Sequence, residues 1–462
     1  MKKQYKNLVT NSIVFTIANF GSKVITFLMV PLYTYLLTPK DYGTIDLVTT
    51  ISGLLIPLIF LCVSDAVLRY TMSNKYSNKD VLSISLKIYI AGLALFGIVL
   101  FIISLFKDIN SYKFYLFCIV ATNGLLLIFN QFLRGIGKVK EFAINGTLYT
   151  LMFVLSNFLL LVILKVGKSG YFLSLILANI ICILYAVLIS KAYKYITIRT
   201  SRDIFLVMIT YSLPLIPNSL MWWVMDASDK FIITYFLGVN ANGIYAISKK
   251  LPTIIDTFHS IFNQAWQISA IEEVDSVNSV EFTSNVYKIY TYLLFLIVSG
   301  LLVISRIVVE YLLSNSYCES WKYIPFLLLS VCFSSLSGFL SANFIANEKT
   351  SIIFKTTLYG AVVNTILNFI LIPFIGINGA AIATMASYYM VLIIRERLIR
   401  KNKGIEILFN RKFIFSLIGL QIIIYYMFPI NIAFFANFIL FLILIYSFRD
   451  VIIVFFKKIL RK

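Results

Sequence analysis

Charged residues are scarce in this chain. Only 13% of its 462 residues are Asp, Glu, Lys or Arg, whereas 60% are hydrophobic. A soluble protein carries about twice that charged fraction, so the composition excludes an ordinary soluble domain. The apolar residues come in runs of roughly twenty, which is the length that crosses a bilayer as a helix. The chain is therefore predicted to be a polytopic membrane protein.

Chemically reactive side chains are also few. The five cysteines form no Cys-x-x-Cys motif and lie mostly inside apolar runs, so we expect free thiols and no disulfide framework. No connection is long enough to form a soluble domain. A membrane-embedded glycosyltransferase or polymerase is disfavoured, because it needs a sizeable extracytoplasmic loop for its acids. We expect no catalytic residue, cofactor or metal, and hence no enzyme.

Acidic residues are half as numerous as basic ones, 20 against 40, which gives a net charge of +20. In a soluble chain this excess would suggest nucleic acid. Here the basic residues cluster in alternate connections, among them the run RERLIRKNK at 395–403. That distribution follows the positive-inside rule and indicates orientation, with no nucleic-acid partner. We expect a multi-pass protein of the cell membrane with both termini in the cytoplasm.

The apolar pattern predicts an all-α protein, and it predicts no cleavable signal, because the first apolar stretch is long and contains Lys23. About fourteen transmembrane helices are expected, at 9–36, 44–68, 81–106, 112–133, 142–164, 169–190, 204–237, 241–268, 284–313, 323–346, 351–375, 377–399, 412–428 and 432–456.

The chain also repeats itself at an offset of about two hundred residues. A stretch that begins TPKDYG resembles one that begins GVNANG, with Gly43 and Gly243 in register, and a second match aligns Asn157 with Asn368. Six predicted spans separate the copies, so both halves have the same orientation, as in carriers built from parallel repeats.

The repeat predicts three segments. Residues 1–200 form an N-terminal six-helix lobe, 201–403 form a C-terminal six-helix lobe, and 404–462 add two transmembrane helices and a basic cytoplasmic tail. Two pseudo-symmetric bundles that face one another imply a central cavity open to one side at a time. The function class that follows is a carrier.

Charged residues inside predicted spans are the candidate functional residues, because charges at the bilayer centre are costly and usually pair or line a polar path. The candidates for a substrate path are cations, acids and two tryptophans: Lys23, Asp226, Asp229, Lys230, Lys249, Lys250, Lys87, Lys355, Trp222 and Trp223. The candidates for ion coupling are Asp229, Asp256, His259 and Asp65.

Each cluster also has a structural alternative. Asp226 and Lys230 are four residues apart, which favours an intrahelical pair and leaves Asp229 as a candidate proton or sodium site. Alternatively, the same cluster forms structural ion pairs between the lobes. Lys23 either lines the cavity or pairs with a buried acid such as Asp46 or Asp65.

The remaining candidates have similar alternatives. His259 is either a proton carrier or a packing residue that bonds Asp256. Lys87 and Lys355 lie near the cytoplasmic ends of their spans, where snorkelling is the stronger interpretation. The two tryptophans either stack on a sugar or pack against lipid.

Three stretches resemble the Wzx-type polysaccharide-biosynthesis flippases of the multidrug/oligosaccharidyl-lipid/polysaccharide exporter superfamily. They are LTPKDYGTIDL, the ASDKFIITYFLGVNANGIY that begins at Ala227, and LNFILIPFIGINGAAIATMASY. The resemblance implies two six-helix bundles in a V around a central cavity, often with two extra helices. It implies transport of an undecaprenyl-pyrophosphate-linked oligosaccharide to the outer leaflet by alternating access, with some coupling to an ion gradient. The implied partners are that lipid, the bilayer, and a polysaccharide polymerase with its chain-length machinery.

Two alternatives stay open within this class. One is a multidrug or cation antiporter of the same superfamily, which would favour a net acidic cavity, whereas the buried charges here are balanced to slightly basic. The other is a flippase whose substrate is a teichoic-acid unit or the peptidoglycan precursor.

Overall fold

The computed structural model describes residues 21, 25–73, 75–106, 112–272, 279–346, 350–403 and 411–460. Within these ranges all regular secondary structure is helical. Twelve helical segments there are long and apolar enough to cross a membrane, and two shorter apolar helices accompany them. The prediction of an all-α polytopic membrane protein with about fourteen spans is confirmed.

The chain forms two compact units, Met1–Ala227 and Ser228–Lys462. The first contains α1 Ile25–Leu36, α2 Pro39–Ile59, α3 Val63–Met72, α4 Asn78–Phe106, α5 Lys113–Gly135, α6 Val139–Asn157, α7 Lys168–Ser190 and α8 Arg202–Ser212. Helix α9, Leu215–Ser248, continues into the second unit, which then contains α10 Thr253–Glu272, α11 Ser279–Leu312, α12 Ile324–Ala346, α13 Thr350–Ile375, α14 Ile377–Lys403, α15 Arg411–Met427 and α16 Ile430–Leu460. The lobe limits proposed from the repeat remain a prediction.

The two units build one hairpin in the same way. Gly167 precedes α7 with φ 67°, and Gly376 precedes α14 with φ 64°, a conformation that favours glycine. Three residues later, Gly170 and Gly379 lie against the end of the preceding helix. A Cβ atom on Gly379 would lie 2.6 Å from the carbonyl oxygen of Leu371, so only glycine allows this approach. The shared geometry supports the internal repeat.

One predicted span is broken. The sequence predicts a continuous helix over 44–68, but α2 and α3 are separated by a turn in which Leu61 and Cys62 have φ near 50°. The ring of Phe60, the last residue before this turn, lies 2.1 Å from where a Cβ of Gly124 would be, so only glycine allows this approach. The apolar pattern of the sequence does not predict this turn.

A second pair of predicted spans is also divided. The sequence predicts two helices, at 204–237 and 241–268. The structure has three helices there, α8, α9 and α10, since the chain turns at Leu213–Pro214 and again after Ser248. Within α9 the helical path is interrupted at Gly238, with φ 85° and ψ 169°, at the position where the sequence predicts a connection.

The basic run at 395–403 is helical over its whole length, whereas the sequence predicts that this span ends at residue 399. Helix α14 continues to Lys403, and Arg395 and Glu396 are each only 3% exposed. Hydroxyl groups explain this burial: Thr356 accepts from the Arg395 Nε at 2.9 Å, and the Tyr287 hydroxyl donates to Glu396 at 2.7 Å.

The two C-terminal helices are anchored on α11. The Arg306 Nη1 donates to the carbonyl oxygens of Tyr425 at 3.1 Å and Phe428 at 2.8 Å, which satisfies acceptors at the end of α15. The Ser305 hydroxyl donates to the Tyr425 hydroxyl at 3.0 Å. The two additional helices predicted at the C-terminal end are therefore packed within the second unit.

Candidate functional site

Asp229 is the centre of a buried polar cluster in the second unit. It is 1% exposed, and its Oδ1 accepts from the backbone N–H of Lys230 at 2.9 Å. Its Oδ2 accepts from the Tyr245 hydroxyl and lies 3.6 Å from the Lys249 Nζ. The carboxylate is thus compensated by two hydrogen bonds and one cation.

The interruption of α9 at Gly238 brings these residues together. Asp229 precedes the interruption, whereas Tyr245 and Lys249 follow it. Tyr245 and Lys249 are four residues apart, so they share one helix face, and the Lys249 Nζ lies 5.5 Å from the centre of the Tyr245 ring. Because the backbone at Gly238 is left-handed, a side chain there would be strained whatever the available space.

Amides and hydroxyls extend the cluster across α13 and α14. Asn364 Oδ1 accepts from the Ser228 hydroxyl at 3.1 Å and from the Asn368 Nδ2 at 3.0 Å. The Asn364 Nδ2 lies 3.3 Å from the Thr384 hydroxyl, and that hydroxyl donates to the carbonyl oxygen of Ala380 at 2.9 Å. We call the connected set the Asp229 network: Ser228, Asp229, Tyr245, Lys249, Asn364, Asn368 and Thr384.

The network is embedded in apolar side chains of the second unit. Tyr245 belongs to a buried cluster that includes Ile233, Leu327, Ile372 and Ala380. Low polarity around a charge strengthens each of its interactions and raises the cost of losing one. The structure therefore holds Asp229 in a defined arrangement.

The network has an exposed end and a buried end. The Lys249 side chain is 25% exposed, whereas that of Asp229 is 2% exposed. Asn368 Oδ1 is buried and has no hydrogen-bond partner. Carboxylate, hydroxyl and amide oxygens are suitable ligands for a hard cation, and a carboxylate can instead take up a proton. In this structure Lys249 supplies the positive charge that balances Asp229.

The other candidates of the α9 region are placed as follows. Lys230 and Lys250 are half-buried. The Trp223 Nε1 donates to the carbonyl oxygen of Thr50 at 2.9 Å, a contact inside the first unit that ties α9 to α2. The side chains of Asp226 and Trp222 lie outside the described residues, as does Lys23, so the predicted Asp226–Lys230 pair stays a prediction.

The candidates in the first unit lie on its surface. The Lys87 Nζ donates to the carbonyl oxygen of Ile198 at 2.7 Å and to the Thr200 hydroxyl at 2.8 Å. Asp65 is exposed in the first turn of α3. It lines a cavity of about 410 Å³ that also contains Gln131.

The remaining candidates lie in the second unit, away from the Asp229 network's hydrogen bonds. The His259 Nδ1 lies 2.6 Å from the Tyr290 hydroxyl, and its ring abuts Gly338. Asp256 is exposed in the first turn of α10, and Lys355 is exposed on α13. The partner of His259 is thus Tyr290, and both interpretations of His259 stay predictions.

Comparison with known proteins identifies the family. The family model described as "Polysaccharide biosynthesis protein" matches residues 8–268, which is more than half of the chain. The chain belongs to this family. An uncharacterized membrane protein of Methanocaldococcus jannaschii is 25% identical over 291 residues, which cover 60% of this chain and 68% of that protein.

Solved structures of transporters share the fold of this family member. The lipid II flippase MurJ, in an inward closed conformation, matches over 95% of this chain and 100% of its own, with a TM-score of 0.71 and 16% identity. An inward-facing multidrug resistance MATE transporter of the MOP superfamily matches over 84% and 98%, with a TM-score of 0.66 and 15% identity. The Vibrio cholerae MATE transporter VcmN, solved as a point mutant, matches over 86% and 97%, with a TM-score of 0.59 and 12% identity. The fold expected from the resemblance to the exporter superfamily is confirmed.

Sequence reasoning about this family member missed five of the seven residues of the network. It named Asp229 and Lys249 but did not include Tyr245, Asn364 or Thr384 among the candidate residues. The available signal was a pair of asparagines four apart, Asn364 and Asn368, in an otherwise apolar span. Polar side chains on one face of a membrane helix usually face a neighbouring helix.

Proposed function

We propose that this protein is a flippase that moves an undecaprenyl-pyrophosphate-linked oligosaccharide repeat unit from the cytoplasmic to the outer leaflet. The product would serve capsule, exopolysaccharide or O-antigen synthesis. The observation that carries the proposal is the match to the polysaccharide biosynthesis protein family over residues 8–268. The fold supports the proposal as well, because the lipid II flippase MurJ is among the solved structures that are similar to this chain. The protein then acts as a carrier and not as an enzyme, and a polysaccharide polymerase acts after it.

The Asp229 network is the proposed coupling element. Lys249 is the more exposed partner of the pair, so an anionic substrate group that reached it would compete with Asp229 for the ammonium. Asp229 would then require a proton or a hard cation in its place, because an uncompensated carboxylate is costly in an apolar surrounding. This exchange would link movement of a pyrophosphate to uptake of a positive charge.

The other charged candidates are proposed as parts of the substrate path. Lys23, Lys230 and Lys250 would attract the pyrophosphate, since an anion in a low-dielectric cleft needs nearby cations. A drug or cation antiporter is the second candidate, supported by the similarity to MATE transporters. A teichoic-acid or peptidoglycan precursor as substrate is a variant of the first proposal.

Deletion of the gene in the native host tests the proposal. In a strain that also lacks the polymerase, we expect complete lipid-linked repeat units to accumulate on the cytoplasmic face. Accessibility to a membrane-impermeant lectin or glycosidase, added to intact cells and to opened membranes, measures the leaflet. Normal arrival of the units at the outer leaflet without this protein would reject the flippase and favour the antiporter.

A further inference from the structure

A long apolar groove runs along α4 in the first unit. It encloses about 1090 Å³, and α2, α4 and the region around the start of α8 form most of its walls. The α4 residues that line it recur every three or four positions from Ile84 to Ile103, so they form one face of the helix. This face lies within the candidate membrane span Asn78–Leu105.

The length of the groove limits what can fill it. From Ile84 to Ile103 an α-helix rises about 29 Å, which is nearly the hydrocarbon thickness of about 30 Å. An acyl chain of a phospholipid reaches only the bilayer midplane and would fill half of the groove. A single chain that spans the membrane therefore matches the length of the groove better than a phospholipid acyl chain does.

Positive charge is confined to one end of the groove. Lys87 and Arg202 are its only charged lining residues, and none of the lining residues, all of which the structure describes, is acidic. The bonds from Lys87 to Ile198 and Thr200 fix the ammonium near this end and leave a third N–H available. Arg202 is exposed at the first position of α8. This end is suited to a phosphate.

We propose that the groove holds the polyisoprenoid chain of a phosphate-bearing lipid, with the phosphate at Lys87 and Arg202. The inference rests on the proposed function, since a lipid-linked substrate of that kind supplies such a chain. It gives the lipid tail a binding site in the first unit that is separate from the Asp229 network in the second. Binding would hold the chain at membrane depth along α4.

Photolabelling tests the tail site. The probe is a C55 polyprenyl phosphate that carries a diazirine at mid-chain, added to the full-length protein in nanodiscs. We expect labelled peptides to map to α4. Ala91→Trp, which places an indole in the groove, should lower labelling by about fivefold or more. Ala94→Trp is the matched control and should leave labelling unchanged, because Ala94 is equally exposed on α4 but does not line the groove.

The phosphate end has its own test. Arg202→Gln should weaken labelling by the polyprenyl phosphate by about threefold or more and leave labelling by the corresponding uncharged polyprenol unchanged. Equal competition by phosphatidylglycerol would assign the groove to ordinary phospholipid and overturn the proposal. Equal effects of Ala91→Trp and Ala94→Trp, or labels confined to other helices, would also overturn it.

These outcomes separate the groove from the proposed function. If the deletion strain retains repeat units on the cytoplasmic face but the probe does not label α4, the flippase stands and the groove assignment fails. If the probe labels α4 as described but repeat units reach the outer leaflet without the protein, the groove is a polyisoprenoid site and the flippase proposal fails.

Discussion

Arg395→Ala is expected to destabilise the second unit by about 1–3 kcal/mol, the cost of leaving buried hydrogen-bonding groups without a partner. The guanidinium is buried, and its nitrogens donate to acceptors on two other helices. Those acceptors are Ser337 and Ser341 on α12 and Ile353, Thr356 and Thr357 on α13. Alanine removes every one of these bonds, leaves buried hydroxyls without their donor, and creates a cavity.

Thermal unfolding of the purified protein in detergent measures this effect. Arg397→Ala is the control, because Arg397 is exposed on the same helix and should change the melting temperature little. Arg395→Lys should recover only part of the loss, since an ammonium has three donors in place of five and lacks the planar geometry. Equal melting temperatures for Arg395→Ala and Arg397→Ala would refute the role assigned to these hydrogen bonds.

Asp229→Asn is expected to lower transport by about tenfold or more while leaving the protein folded. The amide oxygen can still accept from the Tyr245 hydroxyl, whereas the amide nitrogen replaces the oxygen that accepted from the Lys230 N–H, so one of the two hydrogen bonds is kept. Lys249 loses its carboxylate, but its side chain is 25% exposed and can turn toward water. The charge exchange proposed for the network then lacks its buried acid, and coupling should fail.

Complementation of the deletion strain measures this effect, with the lectin assay for the leaflet and an immunoblot for the amount of protein. Glu281→Gln is the matched control, because it removes one exposed carboxylate from the same unit. The double variant Asp229→Asn with Lys249→Met distinguishes a structural pair from a coupling pair. If the double variant restored transport, the ion pair would have only a structural role, and the coupling role of Asp229 would be rejected.

Span number and membrane class were predictable from the sequence, because runs of about twenty apolar residues depend on composition alone. The internal repeat was also predictable from Gly43 and Gly243, and the paired hairpins at Gly167 and Gly376 support it. The break at Leu61 and Cys62 was not predicted, since an apolar run alone does not show where a helix is interrupted.

The candidate site was only partly predictable for the same reason. Asp229 is conspicuous in an apolar stretch, and it was identified from that alone. Its partners are sixteen residues or more along the chain, or on α13 and α14, and tertiary structure brings them together. Arg395 was not singled out, because in the sequence it is one of several cations in a basic run, whereas in the structure hydroxyl groups of α12 and α13 enclose it.

The most direct test of the account is translocation by the purified protein in liposomes. Undecaprenyl-pyrophosphate-linked oligosaccharide is placed in the membrane, the outer-leaflet pool is trimmed by a glycosidase, and a membrane-impermeant lectin then reports newly exposed sugar. The flippase proposal predicts that sugar reappears outside at a rate that depends on the protein and falls in Asp229→Asn liposomes. Rates equal to those of protein-free liposomes, from protein that is folded and inserted, would contradict it.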